Sequence, residues 1–331
     1  MEHGDQPHSM VGWNIRGFTP EKLSDPQFHE YLKAGSIGAS RTVGAEPTLI
    51  ACVEPKRGGD PVNFKNYTTF HSPRTERGTD GAGNAIVTCE DGGATLYVHE
   101  RAFGLKVRDH TSSLFPEVTA VEFDKALFST STNVVIVVAY ISCSELPPAK
   151  KFVDTRHTTQ LAALSELLCT FRMAGLQVLL YSDVNGYVLD CSGYGGGGES
   201  EYETSIGEKL LSRGDWPLRR ISCCSHTKRN ANGKKVLSLC TSAELVLVNG
   251  LQGDRFFDSK CTRDSDRSRG GGGSVIDFFA CSIEIFQNLQ SLHIGEESRF
   301  SDQQIDALLV RANVLARHCR GCPWLGCPGN L

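Results

Sequence analysis

Apolar positions in this chain fall into short runs that stop abruptly at polar residues. Met10-Val11-Gly12-Trp13-Asn14-Ile15 predicts a strand ending at an amide just before Gly17. After a predicted helical stretch near Pro20 to Lys33, Pro47 to Val53 reads as a buried strand closed by Glu54-Pro55-Lys56. Residues 57–84, with Gly58-Gly59, Pro61, Pro73 and Gly78, read as a surface loop. From Gly93 the pattern turns β-rich, with strands over Ala94 to His99, Leu105 to Arg108, Val118 to Phe123 and Asn133 to Ile141. Such close spacing predicts an antiparallel or mixed sheet. Tyr140 ends the strongest run, where its hydroxyl needs a partner or a ligand.

Between Thr158 and Ala174, Leu161, Leu164, Leu168 and Phe171 fall three or four apart, which predicts an amphipathic helix ended by Gly175. The strand Val178 to Tyr181 follows and stops at Ser182-Asp183-Val184-Asn185-Gly186. Helices are then expected around Thr204 to Ser212 and over Gly233 to Ala243, the latter with Val236, Leu239 and Cys240 inward. A strand from Glu244 to Val248 ends at Asn249-Gly250. Ser274-Val275-Ile276-Asp277-Phe278-Phe279-Ala280-Cys281-Ser282 carries an aspartate among apolar neighbours, and a buried carboxylate requires a partner. Ser301-Asp302 then precedes a closing apolar segment, Ile305 to Leu315.

Helices alternating with strands predict an α/β architecture, in which side chains at the carboxyl ends of strands converge on a crevice. Asp183 with Asn185 gives one anionic and one neutral hydrogen-bonding group at such an end, and Asn14 and Glu54 close two others. That pairing suits a phosphate ester and its attacking water. The same Asp-Val-Asn-Gly residues also make an ordinary turn, so the stretch alone supports either reading.

Composition narrows the setting. The 331 residues, 40% hydrophobic and 22% charged, are ordinary for one large globular domain or two small ones. A net charge of -4 makes any nucleic-acid contact local. The segment that would make it runs from Arg213 to Lys235, where Arg219, Arg220, Lys228 and Arg229 accompany Trp216, although such a cluster is equally a solvated face. Met1 to Met10 contains no apolar signal core and no later stretch approaches a membrane span, so a soluble, non-secreted protein of nucleus or cytoplasm is expected. The 13 cysteines then read as reduced thiols, six of them, including Cys52 and Cys281, as small hydrophobes in apolar runs. His318, Cys319, Cys322 and Cys327 could ligate zinc but match no complete finger.

Trp13-Asn14-Ile15-Arg16-Gly17, Val53-Glu54, Tyr140, Ser182-Asp183-Val184-Asn185, Ser274-Val275-Ile276-Asp277 and Ser301-Asp302 stand in the order and spacing of the endonuclease/exonuclease/phosphatase superfamily. Gly233 to Cys240 followed by Leu245-Val246-Leu247-Val248-Asn249-Gly250 resembles the endonuclease domains of non-LTR retrotransposons within it. The resemblance spans about Met10 to Leu309.

It implies a four-layer α/β/β/α sandwich of two mixed β-sheets over residues 8–312, followed by a Cys-rich tail, 313–331. It implies that Glu54 binds Mg²⁺ or Mn²⁺ with Asn14 and Asp302 nearby, that Asp183 orients or deprotonates the attacking water, and that Asn185 and Tyr140 hold the phosphate. It further implies DNA as partner, no membrane, and a reverse transcriptase domain in a longer polyprotein. The family has a histidine after Ser301-Asp302, paired with the aspartate equivalent to Asp277; this chain has Gln303. Glutamine can donate a hydrogen bond but cannot move a proton, a loss worth ~10² to 10⁴ in rate. The expected protein is therefore a DNA-nicking endonuclease with a degenerate histidine position at Gln303. A DNA-binding remnant, or a phosphodiesterase or phosphatase acting on another substrate, remain as alternatives.

Overall fold

In β1 (Ser9–Asn14) successive side chains serve two different layers, which shows how the molecule is stacked. Val11, Trp13 and Ile15 join Ile50, Cys52, Tyr97, Phe18 and Phe28 in an aromatic-rich cluster on one face, whereas Met10 joins the principal core on the other. The computed structural model describes residues 8–28, 46–55, 61–73, 76–79, 85–88, 92–111, 117–141, 153–184, 206, 208–209, 219–220, 231–252, 256–257, 277–294 and 306–310.

Beside β1 runs β2 (Leu49–Val53), parallel to it, then β6 (Ala94–His99) and β3 (Tyr67–Ser72), both antiparallel to their neighbours. On the other side β17 (Asp306–Val310) pairs antiparallel with β1 and leads through β16 (Leu289–Ile294), β14 (Phe256–Phe257) and β13 (Leu251–Gln252) to β11 (Arg219–Arg220). These strands form a nine-stranded mixed sheet. The second sheet has six strands in the order β12 (Leu245–Leu247), β15 (Asp277–Ser282), β10 (Gln177–Asp183), β9 (Val134–Tyr140), β8 (Val118–Phe123) and β7 (Lys106–Asp109). Only β9 and β10 run parallel in it. A small ribbon, β4 (Glu76–Thr79) with β5 (Ala85–Thr88), stands apart.

Apolar faces of both sheets meet in one core, in which Leu49, Ala51, Val53, Leu96 and Val98 lie with Val134 to Tyr140 and Val178 to Tyr181. The helix Val153–Met173 packs on β10 and on the helix Ala231–Ser242, covering the second sheet, while Leu23 of the helix Pro20–Ser24 packs against the Trp13 cluster. The result is the expected four-layer α/β/β/α sandwich with two mixed sheets. Gly175 ends the long helix at φ 79, with Leu176 N donating to Phe171 O and Gly175 N to Arg172 O, the bond pair that satisfies a helix's last carbonyls.

One expectation needs correction. Residues 57–84 are not all loop: β3 and β4 lie there. Tyr67-Thr68-Thr69-Phe70 has the β-branched and aromatic residues of a strand, and its pairing with β6 outweighs the flanking glycines and prolines. Among the described residues, no helix is long and apolar enough to cross a membrane. Cys52, Cys169, Cys240 and Cys281 are free thiols, as read from the sequence.

Candidate active site

The strand ends singled out in the sequence meet at one edge of the sandwich. Register in the six-stranded sheet aligns Tyr140 with Asp183 and Asp183 with Asp277, so three polar side chains form a row on one face. Glu117 extends that row, because Val118 pairs with Ala139 and Tyr140 N donates to Glu117 O at 3.0 Å. Facing them across the core are the ends of β1 and β2, where Asn14 is in register with Val53, the residue before Glu54.

Two hydrogen bonds join the sheets here. Asn14 Nδ2 donates to Asp183 Oδ2 at 2.7 Å, between residues that are 0% and 1% exposed. Tyr140 OH donates to Glu54 Oε1 at 2.9 Å. The Asn14 amide is oriented from both ends, since its Oδ1 accepts Arg16 N at 3.2 Å. Burial pushes the Tyr140 phenol well above its ordinary value of 10.0, and the charges of Glu54 and Asp183, the bond to Glu54 and the charge of Glu117 push the same way. Tyr140 therefore stays protonated at neutral pH and serves as a donor.

Asp277 is fully buried at the start of β15, and Asn249 steadies its strand. Where the chain turns away after β12, Asn249 Oδ1 accepts Phe279 N at 2.9 Å in place of a backbone carbonyl. Ser182 donates from Oγ to Ala139 O at 2.9 Å inside the sheet.

The turn leaving β1 and the end of β2 are both strained. Arg16 and Glu54 have φ values of 49 and 51, a left-handed conformation that costs a non-glycine residue about 1 kcal/mol or more. Neighbouring bonds enforce it: Gly17 N donates to Glu54 O at 2.8 Å, Phe18 N to Pro55 O at 3.1 Å and Glu54 N to Gly93 O at 3.0 Å. Lys22 Nζ donates to Ile15 O at 2.7 Å and Gly17 O at 3.0 Å, closing the turn from the far side.

Asn14, Glu54, Tyr140, Asp183 and Asp277 thus lie together at this edge. Asn185, Asp302, Gln303, Trp216, Lys228 and Arg229 lie outside the described residues. Arg219 and Arg220 form β11 at the outer edge of the nine-stranded sheet, five strand steps from β1, on the order of 20 Å away. Two residues of the site carried no role in the sequence reading. Glu117 was not singled out there, and strand register reveals it; Arg16 was visible only as part of a motif.

All donors gathered here are oxygens and amides, a set that fits a hard cation such as Mg²⁺. Among the described residues, no group of three or more His, Cys, Asp or Glu is close enough to hold a metal. Mg²⁺ commonly needs only one or two carboxylates and keeps several waters, so Glu54 with the Asn14 amide is compatible with it.

No protein-family model matches this chain, and no curated protein matches it in sequence. Its fold is similar to solved structures. A 3′ phosphatase, NExo, from Neisseria bound to product DNA hairpin is 14% identical, with a TM-score of 0.55 over 91% of this chain and 98% of that one. NExo from Neisseria meningitidis, described as a 3′-5′ exonuclease, gives 14% identity and a TM-score of 0.57, covering 92% of this chain and 99% of that one. The AP endonuclease LMAP from Leishmania major gives 13% identity and a TM-score of 0.58, covering 92% and 88%. At such identities the likeness establishes the fold alone, an α/β/β/α sandwich.

Proposed function

We propose that this protein is a metal-dependent phosphodiester hydrolase and, more narrowly, a DNA-nicking endonuclease of the kind found in non-LTR retrotransposons. The observation that carries the reading is the 2.7 Å bond from Asn14 to Asp183, which fixes a buried carboxylate at the meeting point of both sheets. The named activities of the fold neighbours support the general class, and the Gly233 to Gly250 resemblance supports the narrower one.

Glu54 and Asn14, with Asp302, would hold Mg²⁺ or Mn²⁺. Bound there, the cation supplies neutralisation of the phosphate and stabilisation of the leaving oxygen. Asp183, held by Asn14, orients the attacking water and accepts its proton. Tyr140 and Asn185 donate to phosphate oxygens; Tyr140 suits this because its phenol keeps its proton. Gln303, which stands where the resemblance places a histidine, cannot shuttle a proton, so turnover is slow. The basic segment with Trp216, Arg219, Arg220, Lys228 and Arg229 contacts the DNA backbone. The hydrolase occupies residues 8–312, and a reverse transcriptase domain is the expected companion in a longer polyprotein.

The test is nicking of supercoiled plasmid with Mg²⁺, comparing the parent with Glu54→Ala, Asp183→Asn and Gln303→His. Nicking by the parent above both blanks supports the proposal. Nicking by Gln303→His alone favours the second reading, a DNA-binding protein that lost catalysis at Gln303. Silence from all four refutes the hydrolase.

A further inference from the structure

Arg16 lies at the mouth of the site, and its placement assigns it a task that none of the site acids can perform. Its Nε is 3.9 Å from Glu54 Oε2, longer than a hydrogen bond, and its side chain is 42% exposed against 14% for Glu54. The side chain therefore borders solvent while lying beside the Glu54 carboxylate. Its backbone is held in place: φ is 49, the amide is spent on Asn14 Oδ1, and the bonds to Glu54, Pro55 and Lys22 lock the turn. A strained residue kept in position by so many contacts marks a place where direction matters.

Charge supplies the second argument. Glu54, Glu117, Asp183 and Asp277 gather with Tyr140 at this edge of the sandwich, and a concentration of carboxyl groups there disfavours the approach of an anionic backbone. An entering phosphate needs a cation at the mouth, and arginine's planar fork matches two phosphate oxygens at once. We propose that Arg16 contacts a DNA phosphate next to the scissile bond, exchanging its loose pairing with Glu54 for that phosphate when the substrate docks. The inference rests on the phosphodiester reading above and names how that site captures its substrate.

The experiment measures binding of a fluorescent duplex oligonucleotide in EDTA, so that hydrolysis cannot intervene, over a series of salt concentrations. Arg16→Met should bind about tenfold more weakly at low salt, and the slope of log K against log salt should shrink by about 0.9, the loss of one phosphate contact. Arg16→Lys should restore the slope while recovering only part of the affinity. Glu54→Gln should tighten binding, and this gain should shrink in the Arg16→Met background. Equal melting temperatures show that the variants are folded. Wild-type affinity and slope in Arg16→Met overturn the inference even if the plasmid is nicked normally. A reduced slope in a protein that nicks nothing upholds the contact while the hydrolase reading fails, and a parent without affinity for duplex overturns both.

Discussion

Replacing Asn14 by aspartate changes one amide into one carboxylate in a place where the sign of charge decides the outcome. The amide nitrogen sits 2.7 Å from Asp183 Oδ2, and both side chains are buried. Two carboxylates at that separation repel by roughly 6 kcal/mol at an effective dielectric of about 20, so the pair keeps a proton instead. Holding one carboxyl protonated at about pH 7, against an unfolded value near 3.9, costs about 4 kcal/mol; at about pH 5 it costs only about 1.5. The shared proton raises the pair's folded pKa above the unfolded value, so the native state binds the extra proton and stability falls as pH rises. Denaturant unfolding of Asn14→Asp and wild type at both pH values measures the deficit, which should grow by about 1.4 kcal/mol per unit of pH. Asn14→Leu, lacking any new charge, should be less stable by roughly 2–4 kcal/mol, from the lost bonds to Asp183 and Arg16. A deficit in Asn14→Asp that is the same at both pH values would refute the buried Asn14–Asp183 contact.

Three other perturbations probe separate parts of the structure. Gly175→Ala should cost about 1 kcal/mol, because φ is 79 while the space around a Cβ there is open; a melting temperature within error of wild type would contradict it. Gly12→Ala places a Cβ 2.3 Å from Tyr181 Cε2, and since Tyr181 is fully buried the sheets must part, at a cost of about 1–3 kcal/mol read from the urea midpoint. Tyr140 is held protonated in the fold, so its contribution is complete below the ordinary value of 10.0 and is lost as pH rises through the elevated folded value. Metal-free wild type should accordingly lose stability more steeply above about pH 10 than Tyr140→Phe does, and parallel alkaline curves would count against the buried phenol.

The sequence by itself determined most of the local structure. The runs at Leu49 to Val53, Val134 to Tyr140 and Gln177 to Asp183 could only be buried strands, because they are short, apolar on both faces and bounded by turn residues. Leucines spaced along the helix Val153–Met173 and Gly175 at its end were equally legible, since helix periodicity and the left-handed cap are local properties. So was the tendency of strands to end in Asn14, Glu54, Tyr140 and Asp183. Their common destination entered through family resemblance, since nothing in the residues alone joins Asn14 to a carboxylate 169 positions away.

Tertiary structure decided which strands are neighbours and in what register. A strand's two-residue period says which side chains share a face but nothing of the partner that face meets, so β3 was hidden among glycines and prolines until β6 paired with it. For the same reason Glu117 reads as an ordinary surface charge until pairing of Val118 with Ala139 carries it into the Tyr140 row. Arg16 belongs here as well: its nearness to Glu54 depends on β1 and β2 lying parallel and on two backbone turns bent left-handed together, and neither strand's sequence contains that agreement.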